Sequence, residues 1–317
     1  MTNAGVDRQV YETIRELDEL YLRLRKPEPN VPPRLFHYTD PHGLLGIILS
    51  RGLWASNADY LNDSSEPAHA LGVLRVAFQQ VAGSLRPGSF AERALDGCWD
   101  WALNMHKAEG PHVYVFCMSE HDDLLSQWRS YGAHGAGYAL GFSGRTLSEL
   151  LQASEGQYLL KTVYGRSEQS LDAEEVFKEI ISVAERAETT FGPINRATVG
   201  DAAVSRLYLQ LRTSVLSEII RLRAKFKAPA FQEEREWRIV QFVHPRVEKP
   251  EVRFRLGLGV IRPYIDLNFG ENNLPIEQVS IGPTLKPDLS QQSLGLLLVK
   301  CGHPNVEVKI SAVPFRR

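Results

Sequence analysis

Arg34-Leu35-Phe36-His37-Tyr38-Thr39-Asp40-Pro41-His42-Gly43-Leu44-Leu45-Gly46-Ile47-Ile48-Leu49-Ser50-Arg51-Gly52-Leu53-Trp54-Ala55-Ser56 reads as strand, helix, strand. Arg34 to Thr39 has the aromatic and β-branched character of a short strand. Asp40 is the N-cap of the next element and Pro41 fits its first turn, where no amide hydrogen bond is lost. Leu44, Leu45, Ile47 and Ile48 supply a buried helical face, Gly52 ends it, and Leu53 to Ser56 forms a second strand.

Working outward, Val10, Ile14, Leu17, Tyr21 and Leu24 recur at helical spacing and predict an amphipathic first helix. The segment Lys26-Pro27-Glu28-Pro29-Asn30-Val31-Pro32-Pro33 stops it, because proline cannot continue a helix. Residues 1–33 are therefore expected to be a helix and proline-rich linker, followed by one α+β domain over 34–317. Helices are expected over 66–81 and 90–107, a strongly apolar strand over 112–119, a short helix over 122–131 and strands over 137–142 and 158–164. Residues 171–227 hold two long helical patterns. Strands are expected again over 235–243, 252–258, 264–267, 278–281 and 306–311, with a helix over 294–299. Elements in this order suit an α+β sheet with helical insertions near 66–110 and 166–228 better than repeating βαβ units.

The 317 residues are 43% hydrophobic and 23% charged, enough for a sizeable core. A formal net charge of -2 supplies no global attraction for nucleic acid or anionic lipid. Cys98, Cys117 and Cys301 are odd in number and far apart, which fits a reducing compartment and offers no CxxC pair. Cys117, inside an apolar run, reads as a small buried hydrophobe. The polar start shows no secretion signal, and no run approaches the roughly 20 apolar residues of a membrane span. The expectation is a cytoplasmic protein with no membrane partner.

Four stretches carry candidate chemistry. In Phe36-His37-Tyr38-Thr39, alternation puts His37 and Thr39 on one face and Phe36 and Tyr38 on the other. A histidine at a strand end facing a helix N-terminus suits a ribose hydroxyl or a phosphate, and a hydrogen bond to a loop carbonyl is the plain alternative. In Trp54-Ala55-Ser56-Asn57 and Tyr60-Leu61-Asn62-Asp63, Ser56 and Asn62 are candidates to orient a sugar, and Trp54 or Tyr60 to stack on a planar ring. Turn chemistry is the plainer explanation of Asn62-Asp63. In Ser126-Gln127-Trp128-Arg129-Ser130-Tyr131-Gly132, Gln127 and Tyr131 share a helical face. The following Gly135-x-Gly137 lacks the third glycine of a dinucleotide fingerprint.

The sharpest stretch is Phe231-Gln232-Glu233-Glu234-Arg235-Glu236-Trp237-Arg238-Ile239-Val240. Read as a strand, it projects Glu234, Glu236 and Arg238 to one face, opposite Trp237 and Ile239. Two carboxylates on one face repel unless they are solvated, share a proton or serve a ligand. An exposed Glu–Arg pair on an edge strand is the plain alternative. The basic residues Arg212, Arg221, Arg223, Lys225 and Lys227 suit either a solvated helix face or a contact with phosphate or RNA. His121-Asp122-Asp123 reads as a helix start, and no metal site is expected.

Taken together, His37-Tyr38-Thr39, Leu53-Trp54-Ala55-Ser56, Asn62-Asp63, Gln127-Trp128-x-x-Tyr131-Gly132 and Glu234-x-Glu236-Trp237-Arg238 resemble a bacterial family catalogued as a domain of unknown function. Several of its members sit near phage-defence or toxin genes. The resemblance spans roughly residues 34–285. That family in turn looks like a remote relative of ADP-ribosyltransferases, which implies a split, mixed or antiparallel sheet. The resemblance further implies that NAD is the substrate, that His37 holds the adenosine-side ribose and that Glu236 contacts the nicotinamide ribose. Glu234 would match the carboxylate that activates an acceptor, and Trp54, Tyr60 and Tyr131 are the candidates to stack on nicotinamide. Tyr38, Thr39, Ser56, Asn62, Gln127 and Arg238 complete the expected site.

The expected function is transfer of ADP-ribose from NAD to a protein or nucleic-acid acceptor, with helix 212–227 as a candidate contact. The rivals are an RNA-cleaving effector using His37 and Glu236, and a non-catalytic ligand-binding module.

Overall fold

Local sequence decides the elements that open the domain. In the computed structural model, which describes residues 3–23, 28–61, 66–108, 112–132, 136–154, 156–243, 251–256, 259–267, 269, 273–284 and 286–314, α1 (Asn3–Arg23) precedes β1 (Arg34–Thr39), α2 (Pro41–Ser50) and β2 (Leu53–Asn57). The Asp40 carboxylate accepts the Gly43 N–H at 2.7 Å and Pro41 occupies the first turn. At the other end Arg51, at φ 55, closes α2 by donating its N–H to the Ile47 carbonyl. The cap is thus Arg51 rather than Gly52, and Gly52 has no room for a side chain because a Cβ would meet Asp266.

Next come α3 (Glu66–Gly83), α4 (Phe90–Leu95), α5 (Cys98–Ala108), β3 (His112–Ser119), α6 (Leu125–Ser130), β4 (Tyr138–Ser143), α7 (Gly144–Gln152) and β5 (Gln157–Lys161). Then α8 (Arg166–Phe191), α9 (Arg196–Val199) and α10 (Asp201–Lys225) lead through a 3-10 turn, Pro229–Glu234, into β6 (Glu236–Val243). The chain finishes with β7 (Arg253–Leu256), β8 (Ile261–Leu267), β9 (Ile276–Ile281), α11 (Pro287–Lys300) and β10 (Glu307–Ile310).

Three differences from the sequence reading have physical causes. The helix expected over 90–107 breaks at Gly97, which has φ 63. The helix expected from residue 122 begins at Leu125, because the Asp123 carboxylate is taken by Trp128 Nε1 at 2.7 Å and by the amide of Ala312. A helix over 144–152 was not expected. Its buried residues include Leu147 and Leu151, an i, i+4 pair that follows a glycine.

The strands form one mixed α/β sheet in the order β10-β9-β4-β1-β3-β2-β8-β7, with β6 on the far edge of β3 and β5 on β6. The β10–β9 pair is parallel and the other named pairs are antiparallel. One face, carrying Val113, Val115 and Val240, packs on a layer of helices that includes α1, α3, α8 and α10. The opposite face, carrying Leu35, Phe116, Met118, Trp237 and Ile239, packs on α2, α7 and α11.

One edge of β3 has two neighbours. Ser119 pairs with Phe36 of β1, whereas Tyr114 and Val115 pair with Asn57 and Ser56 of β2. Between them Phe116, Cys117 and Met118 have no ladder partner on that edge, although β6 pairs with β3 along its whole length. β1 and β2 therefore diverge, leaving an opening in the backbone ladder between them.

Candidate functional site

The end of α10 places a lysine where the acidic strand begins. Phe226 is buried and bridges to Val163, and the Lys227 N–H donates to the Val163 carbonyl at 3.1 Å. Gln169 Nε2 donates to the Val163 and Lys227 carbonyls at 2.7 and 2.8 Å. With its backbone fixed, Lys227 sends Nζ to Glu234 at 2.5 Å and to Glu236 at 2.8 Å. Arg238, two residues along β6 on the same face as Glu236, contacts Glu66 at 2.5 Å and Glu236 at 2.9 Å. It also donates to the Ala224 carbonyl at 2.9 Å.

The result is a chain of charges, Glu234–Lys227–Glu236–Arg238–Glu66, on the helical side of the sheet. Glu66, Lys227, Glu236 and Arg238 are between 1 and 6% exposed. The plain alternative of an exposed Glu–Arg pair is therefore overturned. Glu234 is also not on the strand, as the sequence reading had it. It ends the 3-10 turn, and Arg235, in the left-handed region at φ 41, swings the chain into β6. The two carboxylates still converge, and the shared ammonium answers their repulsion.

Their environments differ. Burial raises the Glu236 pKa, but Arg238 and Lys227 outweigh it and hold the carboxyl at about 2. Burial also raises Glu234, and the single lysine it shares does not bring it back to the ordinary carboxylate range. Tyr164 accepts the Glu236 N–H at 2.8 Å. Tyr131 lies within reach of the charges of Glu234, Lys227 and Glu236, and burial pushes its phenol up.

His37 occupies the opening between β1 and β2. Its Nδ1 lies 2.7 Å from the Cys117 carbonyl, where β3 lacks a ladder partner on the β1 and β2 edge, and its ring stacks on Phe116 at 4.1 Å. Burial lowers its pKa to about 4, helped by Arg255 and opposed by the Cys117 carbonyl. The ring is then neutral at pH 7, Nδ1–H donates to Cys117, and Nε2 keeps its lone pair. Register shows that Phe36, Ser119 and Glu236 share one face, which puts His37 on the other. His37 and Glu236 are thus not side by side in one pocket on one face, as the sequence reading expected. They meet at Cys117: the imidazole on its carbonyl, the Glu236 carboxylate on its thiol.

The remaining expected residues divide. Ser56 is buried on β2 at the opening, where Arg255 donates to its Oγ at 2.6 Å. Trp54 packs against Tyr264 at 5.1 Å and against Gly46 of α2, and Thr39 lies beside Gly43. Tyr38 has a packing duty instead: its hydroxyl donates to the His121 carbonyl and accepts the Leu124 N–H, and its ring meets Trp128 edge-on. Gln127 is buried at the start of α6, and Tyr60 is exposed in the 3-10 turn Ala58–Tyr60. Asn62 and Asp63 lie outside the described residues.

The basic stretch is spent internally. Arg212 donates to the Ala94 and Asp96 carbonyls, and Arg221 pairs with Glu218. Arg223 pairs with Asp59, Lys225 with Asp172 and Lys227 with Glu234 and Glu236. Helix 212–227 therefore presents no open row of cations to nucleic acid. Among the described residues no group of three or more His, Cys, Asp or Glu side chains could hold a metal ion, and no helix is long and apolar enough to cross a membrane.

Sequence reasoning gave Glu66 no role and read Lys227 only as a helix cation. The signal for Lys227 was present, since it lies between buried Phe226 and Ala228-Pro229, beyond the helix end. Nothing in the sequence marks Glu66.

Residues 127–239 match the model of a family described as a protein of unknown function, DUF2971. The matched stretch runs from Gln127 of α6 to Ile239 of β6, narrower than the 34–285 expected, and encloses Tyr131, Lys227, Glu234, Glu236 and Arg238. Comparisons with curated proteins and with solved structures find no match.

Proposed function

We propose that the protein cleaves NAD at the nicotinamide–ribose bond and transfers ADP-ribose to a macromolecular acceptor, with Glu236 as the essential carboxylate. One observation carries the reading: the two carboxylates of Glu234-x-Glu236 share one ammonium yet are pushed in opposite directions, Glu236 far down and Glu234 up. Paired groups with separated acidities suit separate roles.

In this scheme the bond from the ribose anomeric carbon to the pyridinium nitrogen breaks, and its electron pair leaves with nicotinamide. Positive charge builds on the sugar, and the fixed Glu236 carboxylate stabilises it. The acceptor nucleophile then bonds to the anomeric carbon and gives its proton to Glu234, the less buried of the two side chains at 14% against 6% exposure. The divergence of β1 and β2 supports a split sheet of the transferase kind, with His37 and Ser56 at the opening and Tyr131 beside the carboxylates.

Labelled NAD, incubated with and without cell lysate, tests the scheme. Wild-type protein should release nicotinamide and label an acceptor, and Glu236→Gln should slow release by about 100-fold or more. Wild-type cleavage by Glu236→Gln would reject the assignment. A non-catalytic binding module is the second reading, favoured by the two cations that already neutralise Glu236. It predicts that NAD binds without any nicotinamide release.

A further inference from the structure

Helix α6 turns one polar side chain inward and gives it nothing to bond. Arg129 and Ser130 face solvent, whereas Gln127 and Trp128 are buried. Trp128 fixes the helix: it is fully buried, its Nε1 donates to Asp123 at 2.7 Å, and its ring meets Tyr38 edge-on. Gln127 is 7% exposed, yet among the described residues its side-chain amide makes no hydrogen bond. Ser126 Oγ next to it is unpartnered and sealed, but the Gln127 amide is not sealed and so faces a space that solvent reaches.

One turn on, the Tyr131 N–H donates to the Gln127 carbonyl at 2.9 Å, which puts the two side chains on one face. The Tyr131 hydroxyl likewise has no hydrogen-bond partner among the described residues, and the charges of Glu234, Lys227 and Glu236 reach it. The loop that leads into α6 is tied to the same place. Ser119 Oγ donates to the Glu234 carbonyl at 2.8 Å and accepts the His121 N–H at 3.2 Å.

An amide offers a donor and an acceptor side by side, and leaving both unpaired in a buried position costs free energy that a ligand can recover. Its complement is a second group with an acceptor and a donor side by side, such as another amide. The neighbouring cluster sets three carboxylates, Glu66, Glu234 and Glu236, against two cations, Lys227 and Arg238. That excess of negative charge favours a cationic ligand and repels a carboxylate.

We propose that Gln127, with the Tyr131 hydroxyl beside it, recognises a primary carboxamide carried on a cationic aromatic ring. The contact deepens the NAD reading, whose pyridinium leaving group has that chemistry, and rests on it for the identity of the whole substrate. Binding of the ring alone can be measured without turnover.

Ligand-observed NMR titration of the full chain is the test, with nicotinamide methylated on its ring nitrogen, plain nicotinamide, nicotinate and adenosine as probes. The methylated cation should bind wild type most tightly and nicotinate least. Gln127→Met, similar in shape but unable to pair, should weaken the cation at least about ten-fold, and Tyr131→Phe should weaken it less. Without ligand, Gln127→Met should unfold at no lower a temperature than wild type, because an unpartnered amide loses no bond on becoming apolar. A lower unfolding temperature would show that the amide is already bonded in the free protein, and it overturns the proposal. So does a methylated cation that fails to bind, that binds Gln127→Met equally well, or that binds no better than nicotinate. Adenosine that binds more tightly than the cation and depends on Gln127 gives the amide to a nucleobase and also overturns it. Cation binding that weakens as expected, in a protein that releases no nicotinamide from NAD, upholds this contact and rejects the transferase reading. Cleavage of NAD with an unchanged KM in Gln127→Met does the reverse.

Discussion

Two groups of arginine-centred charge sit on the same sheet and are built in opposite ways. Around Arg238 every charge has a partner, each cation pairs with at least two carboxylates, and every member but Glu234 is buried. Around Arg255 the nearest charged neighbour across the strand is another arginine, and the outer face that should hide apolar side chains exposes them. A closed network is consistent with a fixed scaffold that holds one carboxylate ionised. At the hairpin the guanidinium of Arg255 rests instead on a hydroxyl and an aromatic ring.

The contrast breaks most directly by removing single charges. Arg238→Met should destabilise the fold by about 3–5 kcal/mol in urea unfolding, because Glu66 and Glu236 lose a cation while remaining buried. Combining it with Glu66→Leu should recover much of that loss, since the pair goes together. A single substitution that costs less than about 1 kcal/mol would mean that water enters the cluster freely.

The pH profile sharpens the same contrast. The His37 pKa falls from 6.5 to about 4 on folding, so the unfolded chain takes up the proton first. Its contribution to stability is complete above 6.5 and is lost as pH falls toward 4. Glu236 falls from 4.5 to about 2, and its contribution is present above 4.5 and lost as pH falls through about 2. Unfolding measured from pH 7 to 2 should therefore show two descending stages. His37→Gln should remove the upper one, and the lower one, worth about 3 kcal/mol, should remain.

At the hairpin the expected stability effects are small. Arg255→Gln should change unfolding free energy by less than about 1 kcal/mol, because relief of repulsion across the strand pair offsets the lost bond to Ser56. A loss of several kcal/mol would show that the Ser56 bond outweighs the repulsion. Smallest of all, Arg235→Gly at φ 41 should be nearly neutral in the same assay, because glycine favours the left-handed turn while the bond to Glu120 is lost.

Much of this was legible in the sequence wherever local forces decide. The Asp40 cap, Pro41, the alternation in β1 and the opposed faces of Trp237 and Arg238 follow from spacing alone. Glu234 and Glu236 were expected on one strand face, whereas Glu234 lies in a turn and a shared lysine brings the two together. His37 shows the limit. Alternation correctly gives its face, but only the divergence of β1 and β2 along β3 brings it onto the Cys117 carbonyl. The basic run 212–227 shows it again, since its spacing suggests an open cationic face that packing spends on carbonyls and acids, Asp59 among them at 164 residues from Arg223 in sequence.

By itself the sequence determined most of the strands and helices, and that a carboxylate-rich strand start lies far along the chain from a histidine-bearing strand. Only the tertiary structure decided which charges are compensated. Ion pairing depends on distances of a few ångströms between residues such as Glu66 and Arg238, 172 positions apart, and no local pattern encodes that separation.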